Sequence, residues 1–199
     1  MTVVQAVDDL RAPLADWLAP RLATAEVRIS SVSRPAGGQS NDTILFDAEW
    51  PDRGLARREH FVLRREQTAH HIFRAPDVIR EFRVLEGLRW SWVPVPRVRW
   101  AEPDPAVIGA PFFVMRRVDG IVPPDVMPYT FGDCWIADAS DDQRAELTRA
   151  TVEVLAKLHA IDDPATRFAL LESPGADDES PLRRHVAQSR AWLDWSVGD

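Results

Sequence analysis

The order of elements in this chain predicts an α+β fold with segregated lobes. Strand-like stretches crowd the first 118 residues, and only one amphipathic helix is inserted among them. A proline- and aromatic-rich connector follows, and after it the pattern is helical. Regular alternation of strand and helix would instead predict a doubly wound parallel sheet. The reading divides the 199 residues into a helical preface (1–25), a sheet lobe (26–118), a connector (119–139) and a helical part (140–199).

The preface carries Leu10, Leu14, Trp17 and Leu18 at helical spacing, which marks a packing helix. From Glu26 the period changes. Val27, Ile29 and Val32 read as a strand that enters the turn-rich Pro35-Ala36-Gly37-Gly38. Thr43 to Trp50 and His60 to Arg65 read as two further strands, separated by the turn signal Pro51-Asp52-Arg53-Gly54. Short connections favour antiparallel neighbours. A helix is expected from about Ala75 to Arg89, with Asp77 near its positive end and an apolar stripe of Val78, Phe82, Leu85 and Leu88. Val93-Pro94-Val95-Pro96 ends it. Arg97 to Trp100 and Pro111 to Val118 complete about five strands.

Beyond Asp119-Gly120, the segment Ile121 to Trp135 has no clear period and reads as the connector. Ser140 with Gln143 forms a capping-box signature. The helix it opens has Leu147, Thr151, Val154, Leu155 and Leu158 as its expected buried stripe. Asp162 to Ser180 reads as loop. A last helix, about Pro181 to Trp195, carries Leu182, Val186, Trp192 and Trp195 toward a partner surface.

Composition narrows the function classes. Apolar residues make up 45%, enough for a core. A net charge of −7 argues against nucleic acid as a partner. No signal peptide and no run of about 18 apolar residues is visible, so no membrane partner is expected. With Cys134 as the only cysteine, a reducing cytoplasm fits. Lys157 is the only lysine and Asn41 the only asparagine. Codon bias toward Arg, Ala, Pro and Asp accounts for both scarcities, yet both limit the active sites this chain can build.

Three stretches can carry chemistry. Gly37-Gly38-Gln39-Ser40-Asn41 lies between two strands, where glycines let backbone N–H groups approach an anion. A plain hairpin turn is the alternative. A Walker loop is excluded, because Ala156 precedes the only lysine. Arg64 falls on a strand and Glu81 on the next helix, the arrangement in which a strand cation holds phosphates and a helical carboxylate holds the cation. An ordinary surface ion pair is the alternative. Met115-Arg116-Arg117-Val118-Asp119-Gly120 takes a strand into the connector, leaving backbone donors and acceptors for a nucleobase edge. An edge strand leaving a sheet is the alternative.

In this order the pieces resemble the aminoglycoside phosphotransferase/choline kinase family, which has the protein-kinase-like fold. The motifs are GGQSN, VLRRE, REFRVLEGL, VPVPRV, GAPFFVMRRVDG and LAKLHAID, spread from Ile29 to the C-terminus. VPPDVMPYTFGDCW is similar to a narrower bacterial group, mycobacterial members included, whose substrate is undefined. GGQSN and VLRRE also resemble the kinase-like domain fused to some acyl-CoA dehydrogenases.

The resemblance implies a kinase-like N-lobe, a hinge, and the first helices of a C-lobe that is truncated. It implies that Gly37, Gly38, Gln39, Ser40 and Asn41 cover the phosphates of ATP or another NTP. Arg64 would stand where most kinases carry lysine, with Glu81 as its partner. Met115 would line the back of the adenine pocket, and the Arg116 carbonyl and Val118 N–H would meet the base.

The family also needs an HGD-x4-N loop and a later metal-binding aspartate, and neither is present. No His-Gly-Asp occurs, and Asn41 lies before the hinge. No catalytic residue and no metal ligand is therefore assigned. Magnesium and a small-molecule hydroxyl acceptor are expected only in a full-length parent. His70-His71 lacks a third ligand, and His159 reads as a packed residue.

The leading expectation is the nucleotide-binding part of an ATP-dependent phosphotransferase, inactive by itself. The alternatives are a degenerate nucleotide-binding module and an interaction domain that associates through its exposed C-terminal apolar surface.

Overall fold

A computed structural model describes residues 7–35, 41–67, 76–123, 134–171 and 180–197. The expected helix of the preface is α1 (Arg11–Arg21), preceded by a 3-10 turn. Next come β1 (Arg28–Ser33), β2 (Asp42–Asp52), β3 (Leu55–Arg65), α2 (Val78–Leu88), β4 (Val98–Glu102) and β5 (Phe112–Arg116). The five strands form one sheet in the order β1-β2-β3-β5-β4, and every neighbouring pair is antiparallel.

The central hairpin is longer than its sequence signals suggest. β2 and β3 pair without a break from Asp52↔Leu55 to Asp42↔Arg65. The turn between them is only Arg53-Gly54, with φ of 50° and 80°. Two successive left-handed residues match the twist of the strands they join, which is why glycine suits the second position. Pro51 continues the strand instead of breaking it. β1 reaches β2 only as far as Arg28↔Glu49, so the missing N–H of Pro51 falls where β2 is open.

Alternation then sorts the side chains onto two faces. On one face Ile44, Phe46, Ala48, Phe61, Leu63, Phe112 and Val114 are buried under Leu10, Leu14, Trp17 and Leu18 of the preface. Trp17 meets Phe112 at 4.7 Å between ring centres, and its Nε1–H donates to Glu102 Oε2 at 2.8 Å. Arg21 donates to the same oxygen at 3.0 Å and lies over the Trp17 ring. These contacts fix α1 across the sheet.

On the other face α2 covers one end only. Val78, Val98 and Phe113 make a small core there, flanked by Phe82 and Met115. The Asp77 carboxylate caps the helix by accepting from the Arg80 N–H at 2.7 Å. Glu66, just past β3, accepts from the Val78 N–H at 3.2 Å. The end of β3 is thereby tied to the start of α2.

After the connector come α3 (Trp135–Asp138), α4 (Asp141–His159), α5 (Pro164–Arg167) and α6 (Pro181–Val197). The capping box is present, with the Gln143 N–H donating to Ser140 Oγ at 3.3 Å and the Ser140 N–H to Gln143 Oε1 at 2.9 Å. Two expectations are corrected. The Asp162–Ser180 stretch is not all loop, because Asp163 in the left-handed region (φ 46°) caps α5, and a 3-10 turn follows at Ala169–Leu171. The α4 stripe is not buried: Leu155 is 50% and Leu158 42% exposed. Helical period identifies an apolar side but does not supply an element to cover it. Among the described residues, the later helices touch the sheet lobe at Gly87. Arg167 Nε–H donates to the Gly87 carbonyl at 2.9 Å, and the Phe168 ring lies where a Gly87 Cβ would come within 2.9 Å of it.

Phe46→Ala should therefore cost about 3–5 kcal/mol in urea denaturation, whereas Leu155→Ala should change stability by less than about 0.5 kcal/mol. Comparable losses from both would contradict this burial pattern.

Candidate functional site

The β2–β3–β5 register arranges the face opposite α1 in rows. Thr43, Arg64 and Phe113 are cross-strand partners in the first row, nearest α2. Leu45, Val62 and Met115 form the second. Asp47 and His60 form the third, at the end from which β5 leaves the sheet. Partners lie about 5 Å apart across strands, and rows about 7 Å apart along them. The result is an apolar strip between two charged groups.

The first charged group is the predicted pair. Arg64 Nε lies 3.0 Å from Glu81 Oε1, and Asn41 Nδ2 donates to Glu81 Oε2 at 3.0 Å. Three residues from β3, α2 and the start of β2 thus meet at one carboxylate. Both Arg64 and Glu81 are only partly exposed. Burial pushes the Glu81 carboxyl above its ordinary range, and Arg64 and Asn41 offset this only in part. A carboxylate kept where burial disfavours its charge marks a functional-site candidate.

Arg65 points the opposite way from Arg64, as alternation requires. Its Nη2 donates to Asp42 Oδ2 at 2.6 Å and its Nη1 to the Ile108 carbonyl at 3.0 Å. Arg34, at the end of β1, grips the same Asp42 carboxylate through Nε at 2.7 Å and Nη2 at 3.0 Å. Burial by itself would raise the Asp42 carboxyl, but these two guanidiniums hold it below the ordinary range. Arg34 and Asp42 flank the stretch from Pro35 to Asn41, so the ion triad braces both stems of the glycine-rich segment.

Of the predicted site residues, Asn41, Arg64 and Glu81 are brought together. Met115 lies in the apolar strip beside Val62 and packs against the α2 cluster. Arg116 ends β5, with its N–H donating to the Arg97 carbonyl at 2.8 Å, and Val118 lies beyond it, 71% exposed. Gly37, Gly38, Gln39 and Ser40 lie outside the described residues. Sequence reasoning missed Leu45, Val62, Glu66, Asp42, Asp47 and His60. The first two were readable as strand positions alternating with Ile44, Phe46, Phe61 and Leu63. The ionic partners carry no local signal. Among the described residues no three His, Cys, Asp or Glu side chains converge as metal ligands. No helix among them is long and apolar enough to cross a membrane.

A five-stranded antiparallel sheet with a strand arginine clamped to a helical glutamate, leading through a connector into helices, is the small lobe of a kinase-like phosphotransferase joined to the first helices of its second lobe. The chain belongs to the phosphotransferase enzyme family (APH), whose profile matches residues 31–199. It is similar to an acyl-CoA dehydrogenase of Arabidopsis thaliana, provisionally so named (IBR3), at 33% identity over 132 residues. It is also similar to the human acyl-CoA dehydrogenase family member 11, at 30% identity over 132 residues. Each alignment covers 66% of this chain and 15% of the relative's length. The crystal structure of a provisionally named aminoglycoside phosphotransferase from Ralstonia eutropha JMP134 has the same fold, with a TM-score of 0.59 and 22% identity. That match covers 94% of this chain and 48% of the Ralstonia chain.

The two carboxylates should give opposite pH signatures. The depressed Asp42 stabilises the fold above the unfolded aspartate value of about 3.9, and that contribution is lost as pH falls toward the native value. The raised Glu81 contributes below the unfolded glutamate value of about 4.3, and loses its contribution as pH rises through the native value. In urea melts across pH, wild type should lose ground to Asp42→Asn on acidification and to Glu81→Gln on moving toward neutrality. Parallel curves for either pair would refute the corresponding assignment.

Proposed function

We propose that this chain carries the nucleotide-binding part of an ATP-dependent phosphotransferase whose acceptor is a small-molecule hydroxyl. The convergence of Arg64, Glu81 and Asn41 beside the Leu45–Val62–Met115 strip is the observation that carries the reading. The strip offers an apolar surface to a purine. Arg64, one row away, offers charge to the phosphates.

The end of β5 supports the placement of the base. The Arg117 N–H donates to the His60 carbonyl at 2.9 Å and the Arg116 N–H to the Arg97 carbonyl at 2.8 Å, so consecutive residues use opposite edges. An extended chain past Arg117 puts Val118 on the same edge as Arg116. One acceptor and one donor, the Arg116 carbonyl and Val118 N–H, then suit an adenine edge. Gly37 to Ser40 would cover the phosphates.

In-line phosphoryl transfer also requires an acceptor-orienting aspartate and metal ligands. These 199 residues contain no His-Gly-Asp segment and no asparagine after Asn41. Binding without turnover is accordingly the activity proposed for them. Magnesium would be held by groups of a longer parent, and no metal-dependent step is assigned to this chain.

Calorimetric titration tests the proposal. ATP should bind wild type, and Arg64→Ala should weaken it by more than about tenfold, because a charge-assisted contact is lost. Arg64→Lys should fall between the two. Failure of folded wild type to bind ATP would sink the reading.

A further inference from the structure

Asp47 is a buried carboxylate in the sheet that the proposed nucleotide site leaves unused. It lies in the middle of β2 and is 3% exposed, in the row next to Leu45 and Val62. Arg58 Nη2 donates to its Oδ2 at 2.5 Å, and His60 Nδ1 lies 2.6 Å from Oδ1. Arg117 Nη1 lies 3.8 Å from the same Oδ1. Burying a carboxylate costs free energy that a leucine there would not cost, and replacing such groups by apolar residues is often neutral or better for stability. The position therefore calls for an explanation other than stability.

Its partners suggest one. Arg117 is the first residue past β5, on the strand-to-connector path that carries Arg116 and Val118. Its backbone hydrogen-bonds to the sheet, and its guanidinium has two ionic neighbours at longer range. Its backbone N–H meets the His60 carbonyl, its guanidinium faces Asp47, and its Nε lies 3.3 Å from Asp119 Oδ1. His60, itself on Asp47, supplies the backbone acceptor. Val118, Asp119 and Gly120 are exposed, so Arg117 is where the sheet last fixes the path of the chain.

We infer that Asp47 is a positioning residue for nucleobase recognition: through His60 and Arg117 it sets the orientation of the Arg116 carbonyl and Val118 N–H without touching the ligand. This rests on the nucleotide-binding reading above. It extends that reading by naming what holds the base-recognising segment in place.

The test uses the 199-residue chain, with ATP and inorganic tripolyphosphate as separate probes. Tripolyphosphate has no base and reports on the Arg64 end alone. Asp47→Asn should weaken ATP by about tenfold while changing tripolyphosphate less than about twofold. Arg117→Gln, which leaves Asp47 paired with Arg58 and His60, should do the same and guards against misfolding of the first variant. Amide hydrogen exchange at Arg117 should accelerate in both variants, with Phe61 and Leu63 unchanged. ATP and tripolyphosphate falling together, or unaltered exchange at Arg117 in folded Asp47→Asn, would overturn the inference. If wild type binds neither probe, the nucleotide reading fails, and exchange at Arg117 still decides whether Asp47 holds this segment.

Discussion

The unbroken pairing of β2 with β3 is the constraint on which the other features depend. Two residues adjacent in sequence, Arg64 and Arg65, are sent to opposite faces by it. One meets Glu81 on the α2 side; the other meets Asp42 and Ile108 on the α1 side. A slip of one residue would exchange them, driving the Glu81 partner into an aromatic core and the brace of Asp42 into the site. The apolar alternation of Ile44, Phe46 and Ala48 against Phe61 and Leu63 makes such a slip costly, so the core sets the position of the charges.

The two faces are accordingly different in kind. The α1 face is closed by apolar packing, and its ionic contacts are confined to the rim. The other face is only partly covered by α2, and there two carboxylates, Asp47 of β2 and Glu81 of α2, gather basic partners. Asp42 braces the glycine-rich stems from behind. Glu81 holds Arg64 in front. Asp47 holds the strand exit. In the proposed role these three anchors correspond to the covering segment, the phosphates and the base of one nucleotide. Basic partners hold Asp42 and Asp47 below the ordinary carboxylate range against the effect of burial, whereas at Glu81 burial prevails and raises the carboxyl.

Much of this was legible in the sequence because it is local. Strand alternation, the Asp77 start of α2, the Ser140–Gln143 box and the ordered motifs each depend on residues a few positions apart. The Arg64–Glu81 pair was readable only because strand and helix have a known relative role in the fold that the motifs resemble. What escaped depends on pairing across the sheet. Arg34 with Asp42 and Arg65, or Asp47 with Arg117, cannot be joined before the register is known. The α4 stripe failed for a different reason. Period reports which side of a helix is apolar, and Leu155 and Leu158 show that this side need not be covered.

The presence of arginine rather than lysine at position 64 fits the same geometry. An ammonium is a single point that a carboxylate and a phosphate must share. A guanidinium that meets its carboxylate through Nε, as Arg64 meets Glu81, still has two terminal nitrogens for another anion. It is also planar, so a carboxylate beside Nε limits the directions open to the other two. Glu81 must then be fixed itself, which is the service of Asn41 on its second oxygen and of α2, capped by Asp77 and tied to β3 through Glu66. A scarcity of lysine in the composition thus has a structural counterpart. The carboxylate beside Arg64 is held on its second oxygen by Asn41, which is the only asparagine in the chain.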